Sequence, residues 1–228
     1  VFEYCYLNAV IKRTRFAIGA TLSTMGTLLG NTVRCGDIHP NLYILLVGNS
    51  GDGKNNPLKK PWDIFFKSKC EELVGNQPVS DAGILNGFKD YVTRLDVFDE
   101  ANTLFGGMTD KNAQSYRKGM ADIYAELFTI NGGLYAGRCL ADKIKGRCLS
   151  PMINIIAATT FEDFRKTFSA DLVKKGLGAR FLIFADGEKK DVNLMDEKKE
   201  LPKSIIDFCR KLKNSKAESE IEFNNLQK

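Results

Sequence analysis

Residues 42–54 read LYILLVGNSGDGK, a short apolar run followed directly by a glycine-rich stretch. The apolar residues 42–47 are too few for an independent helix, and they predict a strand buried on both faces of a parallel sheet. The glycines predict a tight loop, and residues 56–74 then show the spacing of a helix. A buried strand, a loop and a helix in this order are typical of an α/β fold.

Short apolar strands and helical patterns alternate along the rest of the chain. This alternation predicts three layers with a mostly parallel central sheet, and short helical additions at both ends. We divide the chain into a helical lead-in at 1–40, a core at 41–187, and a linker with a C-terminal helix at 188–228. The other predicted elements are strands at 78–80, 95–98, 152–158 and 181–185, a hairpin starting at 134–139, and helices at 7–29, 113–130, 161–168 and 203–213.

Glycine and proline positions refine the predicted helices. Gly19 and Gly26 are expected to weaken the first helix, which Gly30 would end. Pro61 is expected to kink or delay the helix at 56–74. Asn131–Gly133 would close the long helix at 113–130.

The composition fits a soluble globular protein, with 43% hydrophobic and 27% charged residues. The net charge of +5 permits a polyanionic partner such as DNA, but a solvated basic surface explains it equally well. No apolar stretch approaches the roughly 18 residues of a membrane span, so we expect no membrane association. The sequence starts without methionine and stops without a clear ending, and we therefore expect a piece of a longer polypeptide.

The six cysteines contain no Cys-x-x-Cys pair, and His39 has no cysteine at zinc-finger spacing. This pattern disfavours structural zinc and a disulfide scaffold. Reduced thiols in the cytoplasm are the expectation.

The segment from Gly48 to Lys54 matches G-x-x-x-x-G-K, the phosphate-binding loop known as Walker A. Its glycines let backbone N–H groups point at phosphate oxygens, and the following helix N-terminus favours negative charge. Lys54 would reach the β- and γ-phosphates. The alternative is a glycine-rich turn with a surface lysine. The candidate nucleotide-binding residues are Gly48, Asn49, Ser50, Gly51, Asp52, Gly53, Lys54 and Asn55.

Asn55 occupies the position where this motif usually has Ser or Thr, whose hydroxyl ligates magnesium. An amide oxygen can bind a hard cation, so Asn55 is a candidate metal ligand. Its side chain is longer than that of serine, which bears on hydrolysis more than on nucleotide binding.

Asp99 and Glu100 follow an apolar strand, as in the second motif of nucleoside triphosphatases, Walker B. Asp99 would hold magnesium, and Glu100 would orient or deprotonate the attacking water. A solvated acidic turn is the alternative. These roles require the loop at 48–54 to lie close to the acidic pair, which we expect on adjacent strands.

Thr159 and Thr160 end the predicted strand at 152–158, which should lie between the loop strand and the strand before Asp99. A polar side chain there can contact the attacking water or the γ-phosphate, so Thr160 is a candidate catalytic sensor. The alternative is that the threonine caps the following helix.

Arg180 stands immediately before the strand at 181–185. In ring-forming nucleoside triphosphatases an arginine at this place points at the γ-phosphate of a neighbouring subunit, where it can raise the rate by about 10³ to 10⁵. The alternative is a surface arginine at a strand start.

Together these segments resemble a family of phage, plasmid and bacterial primase-helicase proteins with a RecA/AAA+-like ATPase domain, a P-loop NTPase class. The resemblance covers about residues 15–186. The segments that carry it, in family order, are 40–47, 48–54, 56–59, 79–81, 99–101, 123–124 with 132–133, and 178–181.

The resemblance implies a motor domain that uses ATP and Mg²⁺ and acts on DNA as a homo-oligomer such as a ring, with a primase or other module elsewhere in the polypeptide. The C-terminal region at 188–228 would be a shortened lid. The basic segment at 143–147 is the best candidate for a DNA-facing loop, with a solvated hairpin tip as the alternative.

Two other functions stay open. A nucleotide-binding switch or scaffold with weak or no hydrolysis is the first, and Asn55 is the residue that suggests it. An ATPase of a host–phage conflict system is the second, with the same chemistry applied to another task.

Overall fold

The computed structural model of the chain describes residues 1–36, 38–75, 77–88, 92–102, 104–105, 115–130, 133–140, 143–168, 176–188, 199–214 and 219–220. Its helices are α1 (Phe2–Leu7), α2 (Thr14–Leu29), α3 (Asn55–Lys67), α4 (Asp81–Gly87), α5 (Ser115–Thr129), α6 (Phe161–Thr167) and α7 (Lys203–Asn214). The strands are β1 (Val33–Arg34), β2 (Tyr43–Gly48), β3 (Thr93–Phe98), β4 (Leu134–Tyr135), β5 (Arg138–Leu140), β6 (Lys143–Lys145), β7 (Cys148–Leu149), β8 (Met152–Thr160), β9 (Phe181–Ala185) and β10 (Ser219–Glu220).

Four of these strands form a parallel sheet in the order β3-β8-β2-β9. The α/β class with a parallel sheet is thereby confirmed, and so is the place of β8 between the loop strand and the strand before Asp99. The expectation that β2, which precedes the loop, and β3, which precedes Asp99, are direct neighbours is wrong. Two strand spacings of about 4.8 Å each separate β2 from β3, which corresponds to about 10 Å between their ends.

The sheet is covered on both faces by helices, as alternation along β2 shows. Tyr43, Leu45 and Val47 pack with residues of α4 and α5. Ile44 and Leu46 point to the opposite face, where they pack with α1, α2, α3 and α7. This arrangement is compatible with the predicted three-layer fold.

Helix α2 lies very close to the sheet at two glycines. A Cβ added at Gly19 would stand 2.8 Å from Leu46 Cδ2, and one added at Gly26 would stand 2.6 Å from the carbonyl oxygen of Pro40. The glycines expected to weaken this helix therefore allow its close approach. The helix starts at Thr14 and ends at Leu29 with Gly30 as its C-cap, whereas residues 2–7 form a helix of their own.

Two element predictions are wrong. Residues 78–80 form no strand, because Pro78 has no N–H and Ser80 instead caps α4 by accepting a hydrogen bond from the N–H of Gly83 at 3.1 Å. Helix α3 continues through Pro61 and ends at Lys67 rather than at residue 74. Its apolar pattern continues past this end because Cys70 is also buried in the core.

A buried ion pair anchors β3. The Nε of Arg94 donates to Asp96 Oδ1 at 2.9 Å, and both side chains are fully buried. Tyr124 of α5 donates its hydroxyl to Asp96 Oδ2 at 2.9 Å. Burial and the Asp96 charge raise the pKa of Tyr124 well above its usual value, so the tyrosine stays a neutral donor. The pair thereby ties β3 to α5.

Some predictions fall outside the described residues. They are the helix start at 113–114, the glycine stop at 131–132, most of the linker after 188, and the chain beyond 220. Within the residues that are described, each helix is too short or too polar to span a bilayer. The domain division at 40 and 188 stays a prediction.

Candidate functional site

A cleft of about 340 Å³ opens where β2, β8 and β3 end. It collects residues from the predicted phosphate-binding loop, the acidic pair and the threonines. The cleft therefore combines three sequence segments that are far apart along the chain. Its lining consists of Ser50, Gly51, Lys54, Asn55, Asp99, Glu100, Ala101, Asn102, Ala158, Thr159, Thr160 and Asp163.

The loop after β2 needs glycine at two positions. Gly51 and Gly53 have φ values of +81° and +76°, which side chains with a Cβ rarely adopt. The loop is closed internally, because Asp52 Oδ2 accepts a hydrogen bond from the backbone N–H of Asn49 at 2.6 Å. Position and conformation fit the predicted loop, although Asp52 brings a carboxylate into it.

Lys54 lies at the end of the loop with its side chain folded back. Its Nζ donates to the carbonyl oxygens of Gly48 at 3.0 Å and Asn49 at 2.5 Å. Burial lowers the pKa of Lys54, and the Arg13 charge acts in the same direction, whereas Asp52 and Asp99 raise it. The ammonium is thus held at the cleft by oxygens of its own loop.

Two exposed residues of the cleft have side-chain oxygens that can ligate a hard cation. Asn55 begins α3, and Asp99 follows β3 directly. An amide oxygen and a carboxylate are ligands that magnesium accepts. No group of three or more His, Cys, Asp or Glu side chains positioned to hold a metal is found in the described part of the chain. A metal here would therefore need oxygens from water or from a ligand as well.

Three carboxylates line the cleft, and one of them was not predicted. Glu100 lies beside Asp99, as expected, and Asp163 comes from the first turn of α6. Among the lining residues that the structure describes, Lys54 is the single cation. The Thr-x-x-Asp spacing of residues 160–163 is the signal that would have placed Asp163 next to Thr160.

Thr160 caps α6. Its hydroxyl oxygen accepts from the N–H of Asp163 at 3.0 Å and donates to Asp163 Oδ2 at 2.8 Å. The capping alternative is therefore what the structure shows, and Thr160 is also one of the residues that line the cleft. Thr159 is more buried and donates weakly to the carbonyl of Thr160, at 3.5 Å. A sensor role for Thr160 would require its hydroxyl to leave Asp163.

Arg180 does not reach this cleft. Phe181 pairs with Tyr43, so Arg180 lies at the opposite end of β9, about 20 Å of strand from the loop. Its guanidinium donates to the carbonyl of Gly176 at 2.6 Å and to Thr129 Oγ1 at 3.0 Å. The predicted catalytic residues are thus separated, with Glu100 and Thr160 in the cleft and Arg180 far from it.

No protein-family model matches the sequence, and no curated protein matches it either. The resemblance to primase-helicase proteins therefore rests on the quoted segments alone.

The basic segment at 143–147 also lies away from the cleft. Its strand β6 pairs with β5, and a Cβ at Gly146 would stand 2.6 Å from Leu85 of α4. Ile144 and Arg147 are exposed, and residues 141–142 between the strands lie outside the described residues. Both interpretations of this segment stay open.

Proposed function

We propose that the chain is the motor domain of an oligomeric helicase of the primase-helicase type, which binds and hydrolyses ATP with Mg²⁺ and acts on DNA. One observation carries the chemical part of this proposal. The loop at 48–55 and the acidic pair Asp99–Glu100 line the same cleft, although one strand separates them in the sheet. That combination suits phosphate binding on one wall and water activation on the other.

Each cleft residue has a role in this proposal. The loop amides and Lys54 bind the phosphates, and Asp99 with Asn55 holds the cation, which would supply Lewis-acid stabilisation of the developing charge. Glu100 orients the attacking water or accepts its proton. Because Glu100 is exposed at the cleft wall, it is accessible to a water molecule.

The charge balance of the cleft supports an oligomer. Three carboxylates face one lysine among the described lining residues, and a triphosphate would add further negative charge. Additional cations are therefore needed during hydrolysis. Magnesium supplies one, and Arg180 of a neighbouring subunit is proposed to supply another, since it is too distant from the cleft of its own subunit.

The direct test is ATP hydrolysis measured with and without single-stranded DNA. We expect stimulation by DNA, and a loss of about 10² to 10⁴ in turnover for Glu100→Gln with ATP binding retained. Lys54→Ala should lose binding itself. Glu162→Gln is the matched control, because Glu162 is exposed on α6 and pairs with Lys166 outside the cleft. Equal turnover in Glu100→Gln and the control would contradict the assignment of Glu100.

A second candidate, a nucleotide-binding switch or scaffold, is favoured by Asn55 in the place of Ser or Thr. Tight ATP binding without turnover, with or without DNA, would select the switch.

A further inference from the structure

Arg13 makes several buried contacts at the loop, although it lies outside the motif. It immediately precedes α2 and is only 2% exposed. Its Nη2 lies 2.7 Å from Asp52 Oδ1, and its Nε donates to the Asp52 carbonyl at 3.0 Å. Its Nη1 donates to Asp186, just after β9, at 2.5 Å.

Asp52 is an unusual occupant of a loop that would bind a polyanion. Its carboxylate closes the loop through the N–H of Asn49, so it has a structural use. Its negative charge would nevertheless repel phosphates in a partly buried place, where screening by salt is weak. The guanidinium of Arg13 offsets that charge by direct contact.

Other residues near Arg13 also contact the loop. A Cβ at Gly48 would stand 2.9 Å from Phe16 Cζ, and one at Gly53 would stand 3.2 Å from Ile11 Cβ. Ile11, Arg13 and Phe16 therefore contact the loop at its two ends and at Asp52. The shape of the loop depends on residues that precede the motif by more than thirty positions.

We propose that Arg13 is a positioning residue for the triphosphate, which neutralises the Asp52 carboxylate and fixes the loop in its binding shape. The inference rests on the proposed nucleotide binding. It adds that Arg13, in the lead-in before the sheet, contributes to the affinity for the nucleotide.

The test compares Mg²⁺-ATP binding by calorimetry in a set of variants of the full chain. Arg13→Ala should weaken binding on the order of 10- to 100-fold, because Asp52 is left unpaired beside the phosphates. Adding Asp52→Asn should restore most of the lost affinity, because the repelling charge is removed and the amide oxygen can still accept from the N–H of Asn49. Adding Asp186→Asn instead should restore less, because Asp186 lies outside the loop.

Arg15→Ala is the matched control. Arg15 lies two residues further along α2 and donates to the carbonyl of Ala185 at 2.8 Å, so its loss should leave binding unchanged. A merely structural Arg13 would show no preference between the two second-site substitutions. That result, or normal binding by Arg13→Ala while Lys54→Ala fails, would overturn the inference alone. Absence of binding by the unaltered protein would overturn the proposed function and the inference together.

If Arg13→Ala does not fold, as judged by circular dichroism, Asp52→Asn alone decides. The inference predicts equal or tighter binding for this variant, because a repulsive charge is removed while Arg13 keeps Asp186. Weakening by more than about tenfold in a folded Asp52→Asn protein would overturn it.

Discussion

Asn55 affects turnover in the proposed function through the cation that it helps to hold. It begins α3 and is exposed in the cleft, where a shorter hydroxyl would ordinarily approach the cation. We expect Asn55→Ser to raise the magnesium-dependent turnover at least about tenfold, a common size for changes around a metal ligand. ATP binding measured without magnesium should be unchanged. An unchanged turnover would show that the amide is not what limits hydrolysis.

Thr160 has a structural role that can be measured separately from a catalytic role. Thr160→Val removes the cap of α6 and should lower the free energy of unfolding by about 1 kcal/mol, measured by urea denaturation. Thr160→Ser keeps a capping hydroxyl and should be close to the original protein. A turnover loss in folded Thr160→Val that Thr160→Ser does not show would assign a sensor role as well. Unchanged stability of Thr160→Val would contradict the capping function.

At the residue scale, the sequence predicts the motif residues better than it predicts the residues that contact them. Lys54, Asp99 and Glu100 are recognisable because short spacing rules fix them, and the structure brings all three to one cleft. Arg13 and Asp163 were missed. Arg13 meets Asp52 across 39 positions, a contact that no local pattern encodes.

At the scale of elements, β3 carries the acidic pair at its end and is anchored by Arg94 and Asp96. Asp96→Asn leaves the fully buried Arg94 without its counter-charge, and breaking such a pair costs about 3 to 5 kcal/mol. We expect a stability loss of about 3 kcal/mol in urea unfolding, since the amide still accepts one hydrogen bond. Asp207→Asn on the exposed side of α7 is the control and should change stability by less than about 0.5 kcal/mol. Equal stability of the two variants would refute the anchoring role.

The element predictions succeed where periodicity is strong. The strands at 95–98 and 152–158 are found with ends extended by two residues, and the strand at 181–185 is found without change. Helix ends were less predictable, because α3 stops at Lys67 while buried residues continue beyond it. Tertiary burial continues the apolar pattern there, although the chain forms only a short 3-10 helix at Glu71–Leu73.

At the scale of the whole molecule, Arg180 decides whether one chain can hold a complete site. It lies at the far end of β9, so in the proposed function it would act on the cleft of a second copy. Arg180→Ala and Glu100→Gln should each be inactive, with losses on the order of 10³ for the arginine. An equal mixture should regain part of the activity, because some sites then combine an intact glutamate with an intact arginine from the neighbour.

Co-assembly of the two variants must be shown by native mass spectrometry in the same sample. Mixed assemblies without any recovered turnover would exclude the action of Arg180 across a subunit boundary. A mixture of Glu100→Gln with Arg15→Ala does not test this action, because Arg15→Ala keeps both Glu100 and Arg180.

The overall architecture was predictable to the level of an α/β fold with a parallel sheet and of the place of β8 in that sheet. The expected adjacency of β2 and β3 was wrong, and it could not hold together with the predicted place of β8 between them. Assembly and DNA contact have no such local signal, and they stay proposals.

The tight seating of α2 on the sheet has a practical consequence for anyone who shortens this chain. Gly19 and Gly26 bring the helix so near Leu46 and Pro40 that no water layer fits between them. A truncated protein starting at residue 41 would uncover the apolar side chains Ile44, Leu46 and Ile156 to solvent, and such surfaces promote aggregation. Expression boundaries should therefore keep the first forty residues attached to the strands they shield.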